Sequence, residues 1–142
     1  MRRGNAFKEN VTILGITVVV AFLFTLPIFH NINYWGIQDW DLHLTYHGAI
    51  RETIVKYHQF PLWNPYYNGG MPLLASPATR VLSPTLLPTL LFGELIGIKI
   101  EIWLCLVIGI MGVYRLARYL RMEIIPSYFS ACLLYTSPSP RD

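Results

Sequence analysis

Apolar positions along this chain fall into two long runs separated by a mixed stretch. From Val11 to Phe29, "VTILGITVVVAFLFTLPIF", no charged residue interrupts the first run. A helix rising about 1.5 Å per residue over that length approaches the roughly 30 Å of a bilayer's hydrocarbon core. The pattern predicts a transmembrane helix over residues 11–31, preceded by a basic arm, residues 1–10, that carries Arg2, Arg3 and Lys8. A cleaved signal peptide opens with a similar arm, but its apolar region runs to about 7–15 residues and closes on a small-residue cleavage site. Length and flanks favour a retained helix.

The periodicity changes beyond His30. Leu42, Tyr46, Ala49, Ile50, Thr53 and Tyr57 recur at three- and four-residue spacing, which predicts an amphipathic helix over 41–59. Asp39 or Asp41 suits its N-cap, and Glu52 with Lys56 forms a favourable i,i+4 pair. Next comes "FPLWNPYYNGGMPLLASPATRVLSP", with prolines at 61, 65, 72, 77 and 84 around an Asn68–Gly70 turn. Fixed φ at proline and free φ at glycine predict an ordered, turn-rich surface loop. Trp63, Tyr66 and Tyr67 are residue types that settle at a membrane interface.

The second apolar run, Val81 to Leu120, has room for one crossing or two. Two crossings would put Arg115, Arg118 and Arg121 on the face opposite the N-terminal basic arm, against the positive-inside rule. One crossing, over 98–120, keeps both basic clusters in the cytoplasm, with the N-terminus. It leaves an outer loop, 32–97, that ends in a juxtamembrane helix, 82–96, where Pro84, Pro88, Gly93 and Glu94 fit better than in a free span. Lys99 and Glu101 are then expected to snorkel at the outer end of the second span. Residues 121–131 hold the start of a further helix, from Ile124, and "GIMG", Gly109 to Gly112, allows close helix packing. The expected fold class is an all-α membrane protein: transmembrane helices with a structured outer loop that contains juxtamembrane helices.

Composition agrees with that class. Of 142 residues, 54% are hydrophobic and only 13% charged, outside the usual range for a small soluble domain. The net charge of +3 lies near the apolar runs, which suits orientation in a membrane and speaks against nucleic-acid binding. Cys105 sits inside an apolar run and Cys132 in the tail, so neither a disulfide nor a cysteine metal site is indicated. The last eleven residues, "CLLYTSPSPRD", Cys132 to Asp142, resemble the conceptual translation of a transposase-type sequencing adapter. On that reading 132–142 is an artefact, the gene continues past Ala131, and the chain is an N-terminal fragment; a flexible Ser/Pro tail is the alternative.

Candidate chemistry concentrates in "IQDWDLHLTYHGA", directly after the first span. Asp39, His43 and His47 are spaced i, i+4, i+8 and share one face if the helix starts early enough. Two imidazoles and a carboxylate suit zinc, while Asp39 with Asp41 suits magnesium or manganese. A carboxylate there can also work as a general base, and the plainer role is that an aspartate caps the helix while the histidines are ordinary polar-face residues. Trp63 and Asn64 are candidates for a sugar or lipid-head site, Glu94 for a second acid, and Arg80 for a phosphate contact; loop packing and interfacial anchoring are their ordinary uses.

The order of a basic N-terminus, one span, "DWDLH", "GAIRETIVKYHQFPLWNPYYNGGMPLLASP", "LSPTLLPTLLFG" and a span ending "YRLARYL" resembles the start of bacterial polytopic membrane proteins of the YfhO-like group. These are similar in plan to the GT-C glycosyltransferases. The resemblance covers nearly all of Met1 to Ala131 and is most specific in "FPLWNPYYNGG" and the acidic pair. It implies an integral protein of the bacterial cytoplasmic membrane that uses a polyprenyl-phosphate-linked sugar as donor, with membrane lipid as its surroundings. It also implies that an aspartate of the first outer loop, Asp39 or else Asp41, acts as base toward the acceptor or contacts a metal; His43, His47, Trp63, Asn64 and Arg80 remain, from their residue types and positions, the candidates for substrate binding. The competing class is a non-catalytic component of cell-envelope polymer export or assembly.

Overall fold

The computed structural model describes residues 2–34 and 39–136, with side chains for 8–34 and 39–133. The side chains of Arg2 and Arg3, Ile37 and Gln38 of the candidate stretch, and the last six residues of the tail lie outside the described residues. The described chain is mostly helical: α1 (Arg2–His30), α2 (Trp40–Arg51), α3 (Leu87–Phe92), α4 (Glu94–Tyr119) and α5 (Ile124–Thr136), with a two-stranded ladder, β1 (Trp63–Asn64) and β2 (Met71–Pro72). Two segments, Lys8–His30 and Glu94–Tyr119, are long and apolar enough to cross a membrane.

The chain divides into two compact units, one of residues 1–26 and 103–142, the other Pro27–Ile102. In the first, Ile13 of α1 packs with Ile110, Met111 and Tyr114 of α4 and Ala131 of α5. The Tyr114 hydroxyl donates to Glu9 Oε1 at 2.8 Å, and Arg118 approaches the same oxygen at 3.3 Å. Thr17 and Thr25 are buried in α1 because their hydroxyls donate back to the Ile13 and Ala21 carbonyls, leaving no polar group unmet. The helix expected to begin at Ile124 continues to Thr136, five residues into the adapter-like tail.

The second unit carries the candidate chemistry. Its core joins Ile50 of α2, Leu73 of the loop and Leu86 before α3, with Ile54, Val81 and Leu90 against them. The helix expected over 41–59 is α-helical only from Trp40 to Arg51. A π-helical turn, Glu52–Lys56, follows, in which the Tyr57 N–H reaches the Glu52 carbonyl at 3.4 Å, and His58 at φ 52° ends it. The Glu52–Lys56 pair forms at 2.8 Å. The proline-rich loop is ordered by antiparallel pairing of Trp63 with Pro72 and Asn64 with Met71, and by 3₁₀ turns at Pro77–Thr79 and Pro84–Leu86.

The single helix expected over 82–96 is broken. Gly93, at φ 89°, ends α3, a conformation an L side chain rarely adopts. Glu94 then opens α4, where a carboxylate complements the positive end of the helix dipole. The second long helix therefore begins four residues before the expected Ile98. Just beyond the break Gly97 lies against the backbone of Thr89, so closely that a Cβ at position 97 would collide with the Thr89 Cα. Absence of a side chain at Gly97 is what lets α3 fold back onto α4.

Candidate functional site

Helical phase sorts the acidic and imidazole groups of α2 onto different faces. Asp39 occupies the N-cap position: its carbonyl accepts from the His43 N–H at 3.2 Å, but its side chain makes no capping bond and is exposed. Asp41, one residue inside the helix, accepts the Leu42 N–H on Oδ1 at 2.8 Å. With Leu44 and Thr45, its i+3 and i+4 neighbours, it lines a pocket of about 230 Å³ that Glu94 and Leu95 close from the start of α4. Arg51 pairs with that Glu94 at 4.0 Å.

Trp40, His43 and His47 lie on another face of α2. With Arg80, Ile98, Glu101 and Ile102 they line a cleft of about 200 Å³. His47 and Glu101 are almost wholly buried, 3% and 2% exposed. Glu101 Oε1 accepts from Arg80 Nη1 at 3.0 Å and from the Thr85 hydroxyl at 2.6 Å. On its other side, Oε2 lies 3.7 Å from His47 Nε2. His47 Nδ1 meets the Thr89 hydroxyl at 3.0 Å. Which of the two atoms donates in that contact is set by the ring tautomer, since a neutral imidazole carries its hydrogen on one nitrogen and accepts on the other. Burial holds the His47 pKa below its ordinary value, and Arg80 and His43 act in the same direction against the opposing pull of Glu101. The ring is therefore a neutral imidazole at neutral pH.

The network differs from the sequence-based picture in several places. Asp39 is not among the residues that line the cleft with His43 and His47, because it precedes the first helical residue. Arg80, expected to meet a phosphate, spends Nη1 on Glu101. Lys99 and Glu101, expected to snorkel, are both about 2% exposed; Lys99 Nζ donates to the Asn31 and Ile32 carbonyls at 2.8 and 2.6 Å, past the end of α1. Those carbonyls and the Arg80 guanidinium replace the hydration that snorkelling would have kept.

Trp63 and Asn64 serve the loop. The Trp63 indole, 55% exposed, covers Gly70. Asn64 is fully buried, its Oδ1 accepting the Tyr66 N–H at 2.9 Å, while its Nδ2 has no partner among the described residues. Tyr66 in turn donates to Glu52 at 2.8 Å; the Lys56 and Tyr66 hydrogen bonds hold the Glu52 carboxyl below its usual pKa. Neither Trp63 nor Asn64 lines the cleft.

Among the described residues no three His, Cys, Asp or Glu side chains converge to hold a metal ion. Sequence reasoning missed Glu101, Thr85 and Thr89 as members of a site. The available signal was Glu101 itself, an ionisable residue inside an apolar run. Comparison with known protein families, curated proteins and solved structures finds no match to this chain.

Proposed function

We propose that this chain is an integral membrane protein, that Pro27–Ile102 is its water-facing module, and that the protein transfers sugar from a polyprenyl-phosphate-linked donor at that surface in the manner of the GT-C-like group it resembles. One observation carries the membrane reading: polarity is inverted. Outside that module Thr17, Thr25 and Ser127 are buried, while Val11, Val19, Leu23, Phe24, Ile108 and Ile125 are exposed. Water would strongly disfavour such a surface, whereas hydrocarbon favours it.

For the chemistry, the pocket shared by Asp41 and Glu94 supports a base at the start of α2, with Asp39 beside it. The carboxylate takes the proton of an acceptor hydroxyl as that oxygen bonds to the anomeric carbon, and the phosphate departs with the donor's bonding pair on its lipid. Asp39→Asn, Asp41→Asn and the double variant are assayed for sugar transfer from a lipid-linked donor in membranes. Loss of transfer with normal insertion supports the assignment, and full activity of the double variant removes it.

A non-catalytic role in envelope polymer export or assembly is favoured by a different observation. Asp41 already accepts the Leu42 N–H, and Glu94 already pairs with Arg51, so both acids have structural partners. The same double variant separates the two readings.

A further inference from the structure

Within the unit of residues 1–26 and 103–142, helices α1 and α4 leave a slot between them that protein atoms do not fill. The two run antiparallel: Glu9 meets Tyr114 at 2.8 Å and Arg118 at 3.3 Å, whereas the Thr17 hydroxyl reaches Met111 Sδ at 3.5 Å. Asn10 and Arg115 therefore share one end of the slot, and Leu14, Val107 and Ile108 line its apolar length. Gly112 keeps it open, since nothing lies within 4 Å of its absent Cβ. The slot holds about 570 Å³, within the roughly 300–1,000 Å³ that suits a small-molecule ligand. From Arg115 to Val107 the helix rises about 12 Å, so the slot is apolar along that length and cationic at its tip.

Arg115 is exposed and has no hydrogen-bond or ion-pair partner among the described residues. Arg118, one turn on, is spent on Glu9 and on the Met122 carbonyl. The described side chains of this unit carry four cations, Lys8, Arg115, Arg118 and Arg121, against two acids, Glu9 and Glu123. A free guanidinium at the head of an apolar slot has the polarity of a single phospholipid. We propose that the slot holds one anionic glycerophospholipid, its phosphate on Arg115 and Asn10 and an acyl chain along Leu14, Val107 and Ile108. A zwitterionic headgroup fits less well, because its ammonium needs an acid and Glu9 is already held by Tyr114 and Arg118. An apolar helix laid in the slot would bury the Arg115 guanidinium unpaired. A phosphate instead takes paired N–H donors from the arginine and a further one from the Asn10 amide. Basic pockets between membrane helices on the cytoplasmic side bind such headgroups, and the end that carries Asn10 is cytoplasmic in the topology proposed from charge. The inference rests on the membrane reading above and is independent of sugar transfer.

The whole chain is reconstituted in phosphatidylcholine vesicles with spin-labelled phosphatidylglycerol or, in parallel, spin-labelled phosphatidylcholine. Electron paramagnetic resonance reads the fraction of label that the protein immobilises. Phosphatidylglycerol should associate about fivefold more strongly than phosphatidylcholine, and the excess should saturate at one lipid per chain. Arg115→Gln should bring the ratio close to one, while Arg121→Gln, which removes the same charge outside the slot, should leave it unchanged. Gly112→Leu fills the slot without altering charge and should also abolish the preference; it carries the comparison if Arg115→Gln does not insert. Equal association of the two lipids with the native chain, or an equal loss in Arg121→Gln and Arg115→Gln, would overturn the site. So would displacement of the labelled lipid by soluble glycerol phosphate, which makes the occupant a headgroup alone. Efficient disulfide dimerisation of Gly112→Cys in phosphatidylglycerol vesicles, with the native cysteines replaced, would assign the slot to a second copy and overturn it likewise. Extraction of the chain from membranes by alkaline carbonate refutes the membrane reading and this site with it, whereas a carbonate-resistant chain without lipid preference refutes this inference alone.

Discussion

The Arg80 guanidinium meets the buried Glu101 carboxylate at 3.0 Å, tying the proline-rich loop to the second long helix. One partner is half exposed and the other is 3% exposed, so the two are not equivalent. Removing Arg80 strands a buried charge, whereas removing both leaves an apolar surface. Arg80→Met should destabilise the fold by about 3 kcal/mol. The Arg80→Met, Glu101→Met double variant should regain most of that. Unfolding in mixed micelles, monitored by circular dichroism, measures the cycle, and a double variant as unstable as the single one would contradict it.

His47 gives the stability a pH dependence of definite sign. Its folded pKa lies below the model-compound value of 6.5 because burial disfavours the imidazolium. Between the folded pKa and 6.5 the unfolded chain binds more protons than the folded one, so stability rises with pH through that window and is lost as pH falls below 6.5. Melting temperature should drop on going from neutral pH toward about pH 5, and His47→Gln should flatten that part of the curve. A curve with the same slope in the variant would assign the dependence to another group.

Two glycines should respond in opposite directions. A Cβ at Gly97 collides with the Thr89 backbone, which cannot step aside as a side chain could. Gly97→Ala should therefore destabilise by about 1–3 kcal/mol and disturb the His47–Thr89 contact. Gly48 lies within α2 with nothing near its missing Cβ. Gly48→Ala should stabilise by about 0.5–1 kcal/mol through helix propensity. Paired thermal melts check both, and the prediction fails if the two variants shift together.

Lys99 donates to two carbonyls just past the end of α1, that of Ile32 and that of Asn31, the latter also accepting the Tyr34 N–H at 3.0 Å. Lys99→Met preserves the stem and deletes the donor. Backbone amides near His30 and Asn31 should exchange at least several-fold faster, with a loss of about 1–3 kcal/mol. Unchanged protection would mean that water serves those carbonyls equally well.

Orientation in the membrane is tested at position 39. In a chain whose native cysteines are replaced, Asp39→Cys should react with a membrane-impermeant maleimide added to the outside of intact cells. Reaction only after lysis would reverse the proposed topology.

Much of the helical frame was legible in the order of residues. A hydropathic run is a sum over neighbours, so Val11–Phe29 and the segment around Ile98–Tyr119 declare themselves without any fold. The Glu52–Lys56 pair needs only one helical turn and was equally local. Boundaries were less legible: Gly93 was read as one of several residues that tolerate an interfacial helix, yet its positive φ splits that helix and lengthens the next.

The site divides along the same line. From the sequence alone came the acidic and imidazole residues of α2 and the fact that they follow an apolar helix, because composition and spacing along one helix are local properties. Only the tertiary structure decided that Asp41 faces Glu94 while His47 faces Glu101, since a small change in where α2 begins rotates each side chain toward a different neighbour. Only it could show Lys99 and Glu101 buried, because the groups that compensate their charge, the Asn31 and Ile32 carbonyls and Arg80, arrive from 21 to 68 residues away. Burial of charge is settled by such partners, and a linear sequence does not specify which partners arrive.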